Sequence, residues 1–186
     1  MESARELLET YLEAKDLNRP DLILDCYAPN AVLTFSIATA TISFPARISG
    51  ADAIAQTLVR DFRKTFTQCK TYYVCESVDA DSRKINKLPW LVVMKEVSRP
   101  ILRLGKGYYT WQFELGDRTR RVSAMHIHIE RMDAVEDPDE DILHALQSAL
   151  PYPWLRPATL RAIIEALMDR GPRFTLLENF KAPVGV

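Results

Sequence analysis

The sequence predicts an α+β domain, and three observations predict it. Apolar residues recur at helical spacing in three N-terminal segments, four strand-like runs follow, and the links between those runs are short. Strands joined by short links pair antiparallel, because a parallel pair needs a long crossover. The chain has 186 residues, 47% hydrophobic and 26% charged, which suits one domain that buries its core without disulfides or metals.

The elements follow in order. Ser3-Ala-Arg-Glu6 is a capping box, and behind it Ala4, Leu7, Leu8, Tyr11 and Leu12 form one apolar stripe. Asn18-Arg-Pro-Asp21 starts a second, shorter helix to about Tyr27, with Pro20 in its first turn. Ala28-Pro-Asn30 is a stop, and Ala31 to Ile37, rich in Val, Phe and Thr, reads as a strand; Ala38 to Ser43 is a loop or its continuation. Gly50 precedes a third helix on which Ile54, Ala55, Leu58, Val59, Phe62 and Phe66 keep the 3.6 period. Four strands are then predicted, Lys70–Val78, Pro89–Val97, Gly107–Leu115 and Arg121–Arg131, the last two joined by a hairpin-like turn at Gly116-Asp117-Arg118.

Composition shifts at Asp133: six of the nine residues to Asp141 are acidic, which reads as capping and dipole compensation at a helix start. A helix is predicted over Pro138 to Leu150, a break at Pro151-Tyr-Pro-Trp154, and a second helix from Pro157 with Leu160, Ile163, Ile164 and Leu167 on one face. The extension is expected to dock on the body, with Trp154, in a proline-rigidified turn, covering the mouth of its pocket.

Lys plus Arg is 24 and Asp plus Glu 25, a net charge of −1, so nothing marks a partner nucleic acid or anionic membrane. The longest strongly apolar stretch, Trp90-Leu-Val-Val-Met94, is too short to span a bilayer, and the N-terminus is charged where a signal peptide is apolar. A cytoplasmic protein is expected. Cys26, Cys69 and Cys75 show no CxxC spacing and read as buried thiols.

Leu7 to Ala14, Leu22 to Leu33, Ile48-Ser-Gly-Ala-Asp-Ala-Ile54 and Arg121 to Glu130 stand in an order and spacing that resembles the nuclear transport factor 2-like superfamily, particularly its SnoaL-like members and steroid isomerases. The resemblance covers residues 1–132 and implies a cone-shaped curved antiparallel sheet closed by three N-terminal helices around a pocket. It also implies a homodimer through the convex sheet face. Residues 133–186 exceed it and are expected as a helical extension packed on the same domain.

Site candidates combine the resemblance with strand parity. Tyr11 stands where the steroid isomerases carry a first-helix tyrosine, and reads either as an oxyanion donor or as a core aromatic. Their two carboxylates are absent: the matching places hold Phe35 and Tyr109. Glu130 lines up with an inward acidic residue of SnoaL-like cyclases, as a base, or else is an edge residue paired with Arg131. His126, His128 and Glu130 share one face of a strand, and Met125, Ile127 and Ile129 the other. The resemblance places the histidines inside and the apolar residues at the dimer contact, whereas the pattern alone argues the reverse; we take the former as the expectation. Two histidines two apart can chelate an ion, but Glu130 lies about 13 Å from His126 along the strand, so no metal is assigned. Tyr109, Trp111, Phe113 and Leu115 form an aromatic face that lines the cone, and Tyr109, Trp111 and Trp90 suit a planar ligand. Gly105-Lys-Gly107 is no phosphate loop, and no Ser-His-Asp or Cys-His arrangement carries a local signature.

Two functions remain open. One is a cofactor-free proton-transfer enzyme of isomerase, dehydratase or cyclase type on a small apolar carbonyl compound, with Glu130 or His128 as base and Tyr11 or Tyr109 as oxyanion donor. The other is a non-catalytic dimeric module that binds a small ligand or a partner in the same cone.

Overall fold

The computed structural model describes residues 2–116 and 119–185. The chain begins with α1 (Ala4–Asp16) and α2 (Pro20–Cys26). The capping box forms: Glu6 N–H donates to Ser3 Oγ at 3.2 Å, and Ser3 N–H to Glu6 Oε2 at 2.7 Å. β1 (Tyr27–Ile37) and the short β2 (Arg47–Ser49) lead into a third helix in three parts: α3 (Ala51–Ala55), a π-helical stretch (Gln56–Asp61) and α4 (Phe62–Thr65). Phe66, assigned to that helix by periodicity, begins β3 (Phe66–Val74) instead. β4 (Lys84–Glu96), β5 (Ile101–Leu115) and β6 (Arg120–Glu136) follow, each longer than the sequence indicates. Asp117 and Arg118 of the hairpin-like turn lie outside the described residues.

Seven strands form one curved sheet in the order β2-β1-β6-β5-β4-β3-β7. β3 to β6 pair antiparallel, as their short links require. β1 departs from that rule and pairs in parallel with β6, across the long connection between them, with Ser36 beside His128. Curvature is eased at β5, where a Cβ on Gly107 would stand 1.9 Å from the His128 carbonyl oxygen and 2.7 Å from the Trp90 ring. Only glycine admits this close approach of strand and indole.

The acidic run after Asp133 is not all helix start, since β6 continues to Glu136. α5 (Asp141–Ala149) begins later, and its free N–H groups find the Asp137 carboxylate, which accepts from Ile142 N at 3.3 Å and Leu143 N at 3.0 Å. β7 (Trp154–Leu155) adds to the β3 edge, and α6 (Pro157–Met168) and a 3₁₀ stretch (Pro172–Phe180) complete the chain.

Two apolar cores result. One fills the concave side, between the N-terminal helices and residues such as Tyr109, Trp111, Ile127 and Ile129. The other lies on the convex side, where Ile142, Leu146, Leu160, Ile164 and Phe180 cover Tyr72, Val74, Leu91, Val93, Leu102 and Leu104. The extension therefore docks on the sheet. Trp154 does not cap the open end of the cone: its ring packs on Tyr73 (4.9 Å between centroids) and its Nε1–H donates to Glu9 at 2.6 Å, tying the sheet edge to α1.

Candidate functional site

The concave core encloses a cavity of about 50 Å³. Tyr11 and Lys15 reach it from one face of α1, Trp90 and Tyr109 from the sheet, and Leu58 and Phe62 from the third helix, whose π-helical stretch lies among them. Ile42 and Phe44 enter from the loop between β1 and β2, and Phe44 stacks on Phe35 at 4.6 Å. Ile42, Phe44 and Phe62 also line an outer cleft of about 450 Å³, so these three side chains stand between the cavity and the surface. The loop is latched at Thr41. Its hydroxyl donates to the Met132 carbonyl at 2.5 Å, and its own carbonyl accepts from Arg103 at 3.1 Å. Arg103 is held in turn by the buried Glu96 at 2.8 Å.

The walls are apolar except at one place. Lys15 Nζ donates to Asp16 Oδ1 at 2.8 Å and lies 3.2 Å from Cys69 Sγ, with the Phe62 ring centroid at 5.1 Å. The two side chains are 7% and 1% exposed. Burial works against the ammonium, but the Asp16 carboxylate, with Cys69 and Tyr11 beside it, outweighs burial and raises the Lys15 pKa above the ordinary lysine value. Asp16 sits behind the lysine and accepts three further bonds: Thr71 N at 2.7 Å, Thr71 Oγ1 at 3.1 Å and the Tyr152 hydroxyl at 3.1 Å. Its charge is thus fully partnered and turned away from the cavity. Cys69 remains a thiol, its pKa pushed up to about 12 by burial and the neighbouring carboxylate.

Near Lys15, Tyr11 is fully buried against the edges of Trp111 (5.0 Å) and Tyr109 (5.8 Å). Among the described residues its hydroxyl makes no hydrogen bond of good geometry, the Tyr109 side chain being its polar neighbour, and Trp90 Nε1 has no partner. Burial raises the pKa of both Tyr11 and Tyr109, so both stay protonated.

Of the residues singled out in the sequence, Tyr11, Phe35, Trp90 and Tyr109 line the cavity, and Trp111 packs behind Tyr11 without lining it. His126, His128 and Glu130 do not reach it. Ile127 and Ile129 line the cavity in their stead, and Met125 is buried on the same side, so the histidine face is the convex one. The physical reason is that helices cover the concave side while the extension leaves this half of the convex side open. Alternation therefore places apolar residues in and polar ones out. The same reversal removes Met125, Ile127 and Ile129 as the basis for a dimer contact. Nor does Glu130 pair with Arg131, which binds Asp133 at 2.9 Å; Glu130 accepts from His128 at 3.0 Å. Sequence reasoning missed Lys15, although its position four residues after Tyr11 extends the buried stripe of α1.

No protein-family model matches the sequence, and no curated protein matches it. Solved structures match by shape. The LinA-type3 hexachlorocyclohexane dehydrochlorinase of Novosphingobium barchaimii LL02 is 16% identical over 72% of this chain and 88% of that one, with a TM-score of 0.52. A nuclear transport factor 2-like superfamily protein of Salmonella enterica serovar Typhimurium LT2 is 13% identical over 66% and 84%, at 0.54. A ketosteroid isomerase-like protein of Erwinia carotovora atroseptica SCRI1043 is 11% identical over 68% and 93%, at 0.51. Likeness at these identities establishes the fold: the chain has the nuclear transport factor 2-like fold.

Proposed function

We propose that the cone is a binding site for a small, mostly apolar, neutral compound held through an acceptor oxygen, and that it binds without proton abstraction. The observation that carries this reading is the Lys15–Asp16 pair. One Lys15 N–H faces Asp16 and another Cys69, which leaves the third for a ligand, beside the Tyr11 hydroxyl and the unpartnered Trp90 indole. Because Asp16 already neutralises the ammonium, a carboxylate ligand would bring an uncompensated charge into an apolar cavity, whereas a carbonyl or ether oxygen would satisfy the waiting donors.

An isomerase-type step needs a base as well as donors. Among the described residues no histidine or carboxylate lines the cavity, and Lys15 is held protonated. The donor half of such a site is present without the abstracting half, which favours the binding module over the enzyme. Ligand pockets commonly measure about 300–1,000 Å³, so anything beyond a few heavy atoms requires Ile42, Phe44 and Phe62 to move aside.

Native mass spectrometry of gently purified protein, followed by affinity measurements on the compound it identifies, tests the reading. Wild type should retain a neutral compound, and Lys15→Met together with Asp16→Asn should weaken it at least about tenfold, the worth of one charge-assisted bond. Equal retention by the double variant, or conversion of the compound during incubation, would remove the proposal.

A further inference from the structure

Parallel pairing of β1 with β6 assembles a second polar cluster, on the open convex face and independent of the cone. Ser36 Oγ lies 2.7 Å from His128 Nδ1 and 2.8 Å from His126 Nε2; His128 Nε2 lies 3.0 Å from Glu130 Oε2, and His126 Nδ1 2.8 Å from Thr34 Oγ1. Donor and acceptor roles follow from one end. As a carboxylate Glu130 only accepts, so His128 carries its proton on Nε2 and presents a bare Nδ1. Ser36 must then donate to that nitrogen. Its own oxygen accepts from His126 Nε2–H, and His126 Nδ1 accepts from Thr34. Burial lowers the His126 pKa, as would a proton on His128, which favours the neutral form this order needs.

We infer that Ser36 is a nucleophile activated by His128 and positioned through it by Glu130, able to accept an acyl group from small activated esters. A hydroxyl bonded to a base that is itself oriented by a third group is the arrangement nucleophilic catalysis requires. Tyr108 stacks on the His128 ring at 4.5 Å and fixes its plane. His128 is 17% exposed at its side chain and Glu130 49%, so the relay meets solvent and reagents directly.

Ser36 Oγ bonds the acyl carbon as its proton passes to His128 Nδ1, and the imidazolium is stabilised by Glu130. The ester C–O bond breaks and the leaving alcohol takes that proton. Water then attacks the acyl-serine, giving a proton to Nδ1 that returns to Ser36 Oγ as the acid departs; the sum is ester plus water to acid plus alcohol. His126 Nε2–H, freed when Oγ is acylated, can donate to the oxyanion; a single donor makes turnover slow and acylation the more telling readout.

The test is labelling of the full chain with an alkyl fluorophosphonate, with peptide mapping to locate the adduct. Folded wild type should be modified at Ser36, and protein unfolded in urea should not. Ser36→Ala should abolish the adduct, and His128→Gln should slow it roughly 10²-fold, the usual contribution of general-base assistance. Glu130→Gln should slow it less, because it orients without accepting the proton. Absence of an adduct at Ser36 in folded wild type overturns the inference even if a variant fails to fold. So does labelling of a folded His128→Gln protein at the wild-type rate.

Discussion

Replacing Lys15 with Met is the sharpest test of the cavity's electrostatics. The substitution keeps an unbranched side chain of similar length against Phe62 and removes the charge together with its bonds to Asp16 and Cys69. Asp16, 1% exposed, would lose one of its four donors and keep Thr71 N, Thr71 Oγ1 and Tyr152. Stripping one partner from a buried pair costs about 3–5 kcal/mol, and the three surviving bonds place this case near the lower end, about 3 kcal/mol. With a urea slope of about 2 kcal/mol/M, the unfolding midpoint should fall by about 1.5 M at unchanged slope. Adding Asp16→Asn removes the stranded charge and should restore at least half of the loss. The pH dependence has a definite sign. Because the Lys15 pKa is raised in the folded protein, its stabilisation is complete below the unfolded lysine value of about 10.4 and fades only as pH climbs through the higher folded one. The gap between wild type and Lys15→Met should therefore stay constant from about pH 6 to about pH 9. A midpoint shift under about 0.5 M, or a double variant weaker than the single one, would refute the assignment of a buried, mutually dependent pair.

Three further outcomes are expected. Thr41→Val, in a Trp154→Phe background, removes the hydroxyl latch on the loop carrying Ile42 and Phe44; at about 1 kcal/mol for one hydrogen bond, opening should rise about fivefold, read as stronger acrylamide quenching of Trp90 and Trp111, and unchanged quenching would show that the latch does not govern access. Limited proteolysis should spare the link near Asp137, whereas a chain ended after Glu136 should aggregate, because it bares Tyr72, Val74, Leu91, Val93, Leu102 and Leu104; a soluble truncated monomer would contradict the second core.

Local signals survived the comparison of sequence with structure better than long-range ones. The Ser3–Glu6 box, Pro20 at a helix start and the aromatic alternation through Tyr109, Trp111 and Phe113 depend on neighbours in the chain, and each stands as read. Strand ends were misjudged because polar residues occupy them: Lys84 pairs with Gln112, Asn86 falls in a register shift of β4, and Arg103 is held by Glu96, and composition hides all three. The orientation of β6 was decided by which side a helix covers, a tertiary fact; the apolar-in alternation of Ile127 and Ile129 carried the correct answer, and the resemblance pointed the other way. Lys15 was passed over because a lysine ending an apolar stripe ordinarily extends to solvent, and the partners that bury it, Cys69 and Thr71, lie 54 and 55 residues from it and from Asp16. Ser36 was invisible for the same reason, 92 residues from His128.

The ties between α1 and the chain around β7 bear on how the protein is made. Glu9 waits for Trp154, 145 residues later, and Asp16 for Tyr152, 136 residues later. During ribosomal synthesis the first helix therefore emerges well before these two ties can form, and they close only when most of the polypeptide has been polymerised. At about 5–20 residues per second that interval is roughly 7–30 s. Contacts of such sequence separation place the domain among slow-closing topologies. Throughout that wait α1 meets the sheet through its apolar stripe, and the ties to Trp154 and Tyr152 close the joint last.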